Sequence, residues 1–326
     1  MKYKRLTALL ISAVLLISGC SGLPKERDQT YTGTFFDTVI SIQIYDAIED
    51  DVLDGCAKLC EKYDTMFSNK TEDSEISQIN HAGGNPVEVS DETITIIKKG
   101  IYYSEMSNGA FDITIGAVSN LWDFKSEAPE IPAADTVASA VSHVDYNQII
   151  ITNNTVRLTD PYASIDVGAI AKGYIADRLK AYLKEQGVKH AVINLGGNVL
   201  TMGGKIDGSD YNIGIQKPFD ESGQPITSVK VSNKSVVTSG IYQRYFESDG
   251  KIYHHILDPN TGYPCENNLY SVTIITDSSL TADALSTTCF LLGFDEGMKL
   301  INQLDNVDAV FITNDNKIHY SKNFQY

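Results

Sequence analysis

Residues 237–264 read VTSGIYQRYFESDGKIYHHILDPNTGYP. Strand-forming residues run to Phe246, Ser248-Asp249-Gly250 supplies a turn, and a second strand from Lys251 to Leu257 meets the loop-forming Asp258-Pro259-Asn260-Thr261-Gly262. The stretch predicts a β-hairpin that empties into a tight loop. His254 and His255 stand side by side at its end, so strand alternation turns one toward the core and the other to the opposite face. One of them is a candidate base. Taken alone, the stretch reads equally well as a surface hairpin with incidental histidines.

C-terminal to it, Ser271–Thr276 predicts a strand. Ser278 or Ser279 is placed to cap a last helix from about Thr281 to Leu292, and Asp308–Thr313 closes the chain as a strand. On the N-terminal side, Phe35–Tyr45 alternates like a half-buried strand. Val52, Cys56, Leu59, Cys60, Tyr63 and Phe67 recur at helical spacing, and a second helix capped by Ser90 stops at Asn108-Gly109. Residues 125–145 read as a polar connection, and Gln148–Leu158 as a hairpin turning at Asn153-Asn154. Ile165–Asp177, IDVGAIAKGYIAD, predicts a strand end that turns into a helix stopping at Gly187, and Ala191–Leu195 a strand emptying into Gly196-Gly197. Small residues at such a turn leave backbone N–H groups free for phosphate. Helices and strands without regular alternation predict the α+β class, with a largely antiparallel sheet and flanking helices in one domain.

The first 19 residues stand apart. Lys2, Lys4 and Arg5 precede an apolar run from Leu6 to Ile17, too short to span a bilayer, and Ser18-Gly19-Cys20 follows. This resembles a bacterial lipoprotein signal with Cys20 as the acylated mature N-terminus. The predicted organisation is a signal over 1–19, a tether over 20–30 and a domain over 31–326, exported and lipid-anchored on the extracytoplasmic side of a membrane. Without the three charges of the signal, the 26 Lys and Arg fall to 23 against 42 Asp and Glu, a net −19. Such a surface repels nucleic acid, and an anionic substrate would need a metal ion or backbone N–H groups to hold it. Cys56, Cys60, Cys265 and Cys289 contain no CxxC pair and read as buried thiols, with a Cys265–Cys289 disulfide as the alternative.

Asp283 and Thr287 are four apart and share one face of the last helix. Hard oxygen donors suit Mg²⁺ or Ca²⁺ better than zinc. A solvated acid beside a cap explains them as well. Asp166 caps the following helix or binds a ligand, His255 and Asp258 form a buried pair or a working one, and Phe111 and Asp112 are core and turn residues or a contact.

FDT at 36–38, DSEIS at 73–77, GAFDITIG at 109–116, LWDF at 121–124, IDVGAIAKGYIAD at 165–177, NLGGN at 194–198, TSGIYQRYF at 238–246, HILDPNTGYP at 255–264 and ADALST at 282–287 follow in order. Together they resemble the ApbE family of FAD:protein FMN transferases over nearly all of the mature chain. The resemblance implies Mg²⁺-dependent cleavage of FAD and transfer of FMN to a Thr or Ser hydroxyl of an acceptor protein in a membrane-associated redox system, with release of AMP. It implies metal ligation by Asp283, Thr287 and the Ala169 carbonyl, with Ser286 where some members carry a second acid. Contacts to FAD are implied at Phe36, Ala110, Phe111, Asp112, Asp166, Lys172 and Ile256. His255 is the expected general base and His254 a packing or surface residue. The alternatives are a Mg²⁺-dependent FAD pyrophosphatase yielding FMN and AMP, and a lipid-anchored FAD-binding protein without catalysis.

Overall fold

The computed structural model describes residues 29–49, 51–220 and 222–326. The predicted signal, Cys20 and most of the tether lie outside them. Eight strands form one sheet in the order in which they occur along the chain, each antiparallel to its neighbour: Gln29–Phe35, Thr38–Ile44, Ala191–Leu195, Asn198–Met202, Ser235–Gly240, Leu269–Thr276, Asp308–Thr313 and Ile318–Tyr320. The first strand starts early enough that Gln29 and Thr30, read as the end of the tether, pair with Ile44 and Gln43.

Side-chain alternation divides the sheet between two cores. Val237, Val272, Ile274 and Phe311 join the main core under the helices, whereas Val236, Ile275, Val310 and Ile312 point the other way, into a smaller core with the Tyr211–Gln216 and Pro225–Val231 hairpin. The main core also takes in Cys56, Cys60 and Tyr63 from the Asp51–Phe67 helix, Ile96 and Ile97 from Asp91–Met106, Ile175 and Leu179 from Gly168–Glu185, and Leu285 and Phe290 from Ser279–Ile301. The four cysteines of the fold are all free thiols. The fold is α+β with a largely antiparallel sheet, as its sequence predicts.

Several elements differ from the sequence reading: the strand expected over Phe35–Tyr45 is Thr38–Ile44, with Phe36 and Asp37 in a hairpin turn, and Glu75–Asn80 is a short helix. Residues 125–145 contain a helix, Ala134–Val141, which buries Val137 and packs Ala140 and Val141 against a satellite core of Val118, Trp122 and Leu257. The strand expected to reach Phe246 stops at Gly240; residues 241–244 bend before Tyr245–Ser248 pairs with Lys251–His254. The last helix runs on to Ile301, broken at Gly293 (φ 78°, ψ 179°) rather than ended there.

The Gly168–Glu185 and Ser279–Ile301 helices cross closely. Asp177 of the first accepts hydrogen bonds from Ser278 Oγ (2.8 Å) and from the Ser279 and Leu280 N–H groups (2.9 and 3.0 Å), and Ser278 Oγ caps Thr281 N–H (3.3 Å). Orphan donors at the start of the second helix are thus satisfied by the first, a contact of about 1 kcal/mol for a side-chain cap. This crossing sets the candidate site.

Candidate functional site

At the crossing, Gly173 lets the helices touch: a Cβ there would stand 2.3 Å from the Ser279 carbonyl oxygen. Asp283 is only 3% exposed, and its Oδ2 accepts the Gly173 N–H at 2.8 Å. In a regular helix that N–H serves the carbonyl four residues back, here Ala169. Asp283 therefore competes with the Ala169 carbonyl for its usual donor and leaves that oxygen better able to face a cation. Asp283 Oδ1 lies 3.8 Å from Lys172 Nζ, which also reaches the Gly168 carbonyl at 3.5 Å. Burial pushes the Asp283 carboxyl above the usual carboxylate range, opposed by Lys172, the Gly173 N–H and the Asn198 amide. Asn198 Nδ2 makes no hydrogen bond of its own, yet it is near enough for its dipole to favour the carboxylate. Thr287 Oγ1 lies 2.9 Å from Ser239 Oγ, which also meets Ser286 Oγ at 2.8 Å. A buried carboxylate, a hydroxyl and a carbonyl whose helical donor is also claimed by Asp283 form an all-oxygen set, so these residues fit a hard divalent cation.

His254 and His255 divide as alternation requires. His254 is 6% exposed, edge-on to Phe290, and burial pulls its pKa down to about 4. His255, just past the strand, is half-buried, with Arg244 and Lys172 within electrostatic reach of its ring. Its backbone N–H donates to the Arg244 carbonyl (3.2 Å) and its Nδ1 lies 3.2 Å from the same oxygen. A carbonyl only accepts, so Nδ1 carries the hydrogen and Nε2 keeps its lone pair. Burial, then the charge of Arg244, hold the ring neutral, with a pKa pulled down to about 3; Lys172 adds to the effect. Asp258, by contrast, is taken up by its own turn, accepting the Asn260 N–H at 2.9 Å.

A second arm of the site is the hairpin tip at Phe36 and Asp37. Both residues are left-handed, at φ 54° and 60°, and Asp64 Oδ1 accepts the Phe36 N–H at 2.9 Å. Lys70 and Lys125 lie 3.5 and 3.2 Å from the Asp37 carboxylate. Against partial desolvation, the Lys125 hydrogen bond and the charges of Lys70, Lys125 and Arg244 hold Asp37 below the usual carboxylate range. The glycine-alanine turn links to the third arm. Asp166 Oδ1 accepts the Gly168 N–H (2.8 Å), and its Oδ2 takes Ser119 Oγ (2.8 Å) and Asn69 Nδ2 (3.4 Å). Asp166 N–H in turn donates to the Ile113 carbonyl (2.7 Å), joining the turn to the segment that holds Ala110, Phe111 and Asp112.

Lys172 and Asp283 therefore meet, Ala169 and Thr287 lie within about a turn of them on the same two helices, His255 is within electrostatic reach of Lys172, and Arg244 couples to both His255 and the Asp37 tip. The side chains of Phe111, Asp112 and Ile256 point elsewhere. Phe111 and Ile256 are core, at 3% and 5% exposed, and both oxygens of Asp112 are spent on Thr114 and the Tyr146 N–H. Contacts from these positions would come from the backbone. Sequence reasoning missed Arg244, Lys70 and Lys125, which converge from distant loops. Arg244 did carry a signal, as one of five arginines in an acidic chain and part of the TSGIYQRYF stretch.

A sequence model of the ApbE family matches residues 36–311. An FAD:protein FMN transferase of Klebsiella pneumoniae (strain 342) is 36% identical over 299 residues, covering 91% of this chain and 92% of the relative. Of solved structures, the ApbE protein of Thermotoga maritima aligns with a TM-score of 0.83 at 28% identity, over 91% of this chain and 97% of that one. The flavin transferase ApbE of Vibrio cholerae aligns with a TM-score of 0.80 at 27% identity, over 91% and 98% of the two chains.

Proposed function

Because the chain belongs to the ApbE family, we propose that it cleaves FAD between its phosphates and transfers the FMN half to a Thr or Ser hydroxyl of an acceptor protein, releasing AMP. The observation that carries this reading is the His255 ring, fixed in tautomer by the Arg244 carbonyl and within electrostatic reach of Lys172, which pairs with Asp283. Nε2 is then the basic atom offered to an incoming hydroxyl. A pKa near 3 makes a weak base in the free protein. The negative diphosphate of a bound dinucleotide favours imidazolium, so substrate arrival strengthens the base as the proton is needed. General-base assistance of this kind is worth about 10²- to 10⁴-fold.

Asp283, Thr287 and the Ala169 carbonyl would hold a Mg²⁺, which when bound supplies charge neutralisation on the phosphates. Lys172 faces the same carboxylate and would shift toward phosphate once Asp283 takes a cation. Phe36, Ala110 and Asp166 line the remaining arms and are assigned to FAD, along with the backbone of Phe111, Asp112 and Ile256. The basic, apolar, Ser-Gly-Cys20 leader supports export and a lipid anchor, which would place the acceptor in a membrane-associated redox system outside the cytoplasm.

The test is to incubate the protein from Cys20 onward with FAD, Mg²⁺ and a candidate acceptor domain. Flavin fluorescence that stays on the acceptor through denaturation supports transfer. Free FMN with AMP and an unlabelled acceptor assigns the pyrophosphatase instead, and intact FAD refutes catalysis.

A further inference from the structure

We propose that Arg244 is a second catalytic group of this reaction, its guanidinium binding the diphosphate of FAD and stabilising the charge that builds on the phosphoryl group in transit. The proposal rests on the flavin-transfer reading. Among the described residues, Arg157 donates through Nε to the Gly84 carbonyl (2.8 Å) and Arg178 to the Tyr63 hydroxyl (3.3 Å), while the guanidinium of Arg244 has no hydrogen-bond or ion-pair partner. It is half-buried, in a chain with 42 acidic residues from which a partner could have come. A partly buried charge with no ion-pair or hydrogen-bond contact is unfavourable unless something else answers it.

Its surroundings name the missing partner as an anion. Lys70 and Lys125 share one carboxylate, Asp37, and Lys172 faces Asp283. Each of these lysines thus faces a carboxylate, whereas Arg244 has no ion-pair partner among the described residues, and a dinucleotide diphosphate is an anion that could answer it. Guanidinium is the side chain built to grip such a group, since its planar fork matches two phosphate oxygens at once. The Arg244 carbonyl also holds both the N–H and Nδ1 of His255, so the base and the guanidinium are placed by one residue.

In the step, an acceptor oxygen bonds to the phosphorus on the FMN side as its proton passes to His255 Nε2. The bond from that phosphorus to the bridging oxygen breaks, and the electron pair leaves with AMP. Negative charge grows on the non-bridging and bridging oxygens, where Arg244 is offered.

The test compares wild type, Arg244→Ala and Arg244→Lys for turnover at saturating FAD, for FAD affinity by flavin fluorescence and for melting temperature. Arg244→Ala should lose at least ~10²-fold in kcat, the order seen when one preorganised donor is removed, with affinity changed by less than about tenfold. Added guanidinium ion should restore part of the loss, and Arg244→Lys should recover less than full turnover because an ammonium cannot bridge two oxygens. Turnover within threefold of wild type, or a loss that guanidinium leaves untouched while affinity and melting fall together, overturns the proposal. Wild-type protein that leaves FAD intact refutes instead the flavin-transfer reading beneath it.

Discussion

Replacing Gly173 by alanine sets two physical effects against each other with opposite signs. Helix propensity favours alanine by about 0.8–1.0 kcal/mol in a helix interior. The helix crossing opposes it. The new Cβ would lie 2.3 Å from the Ser279 carbonyl oxygen, 2.7 Å from Leu280 Cα and 2.7 Å from Asp283 Cβ. Carbon contacts are comfortable near ~3.5–4.0 Å, so the helices must separate by something like an ångström. Two of the three obstructing atoms are backbone in the turn that Asp177 caps, which cannot swing away as a side-chain tip would. Overpacking of this kind costs about 1–3 kcal/mol, and a backbone clash belongs at the upper end. The net expectation is a loss of about 1–2 kcal/mol. At roughly 2–4 °C per kcal/mol, the scale for domains of a few hundred residues, the midpoint of thermal unfolding should fall by several degrees. Separation also stretches the 2.8 Å bond from Gly173 N–H to Asp283 Oδ2, so metal-dependent FAD turnover should drop further than the folded fraction explains. Thermal unfolding and a Mg²⁺ titration of turnover read the two effects separately. A variant as stable as wild type, or more so, with full turnover would refute the crossing as described.

Asp283→Asn keeps the shape and an acceptor for Gly173 but removes the charge, so Mg²⁺-dependent turnover should vanish; an unaltered Mg²⁺ dependence rejects the metal assignment. His255→Gln should lower transfer by about 10²- to 10⁴-fold with FAD affinity nearly intact, whereas equal loss of both marks a structural residue. In wild type, the acid limb of kcat/KM should sit below the 6.5 of an ordinary histidine, because burial depresses His255; a limb at 6.5 contradicts a buried neutral ring. His254 offers a stability test. Its folded pKa of about 4 lies below the ordinary 6.5, so the unfolded chain binds the proton more readily. The stabilisation is complete above pH 6.5 and disappears as pH falls toward 4, by about 3 kcal/mol. Wild type should therefore lose melting temperature across that window faster than His254→Gln, and parallel curves would show that the buried neutral ring contributes nothing.

What the sequence revealed, and what it withheld, follows from the range of each interaction. The apolar spacing from Val52 to Phe67 is local, and that helix forms where it is expected; the alternation from Phe35 to Tyr45 marks the strand Thr38–Ile44, but Phe35 ends the preceding strand and Phe36-Asp37 reverse the chain between them. Ala134–Val141 buries only Val137, so it leaves almost no periodic trace. Gly293 carries the usual signature of a helix end, but Phe294 finds Phe311 and His319 to pack against, and the helix resumes. In the site, Asp283, Thr287 and His255 stand out by residue type and spacing. The lack of an ion-pair partner for Arg244 does not, since it depends on which of 42 acids stop short of contact with it, a property of the assembled fold.

The tip at Phe36 and Asp37 carries a further implication. A two-residue reversal between paired strands is easiest with Asn-Gly, which enters left-handed backbone at little steric cost. Here an aromatic ring and a carboxylate stand in that position, and Asp64 and two lysines hold them. Swapping both for Asn-Gly should thus make the hairpin easier to fold while blunting the enzyme, a trade that a merely connecting bend would never exhibit.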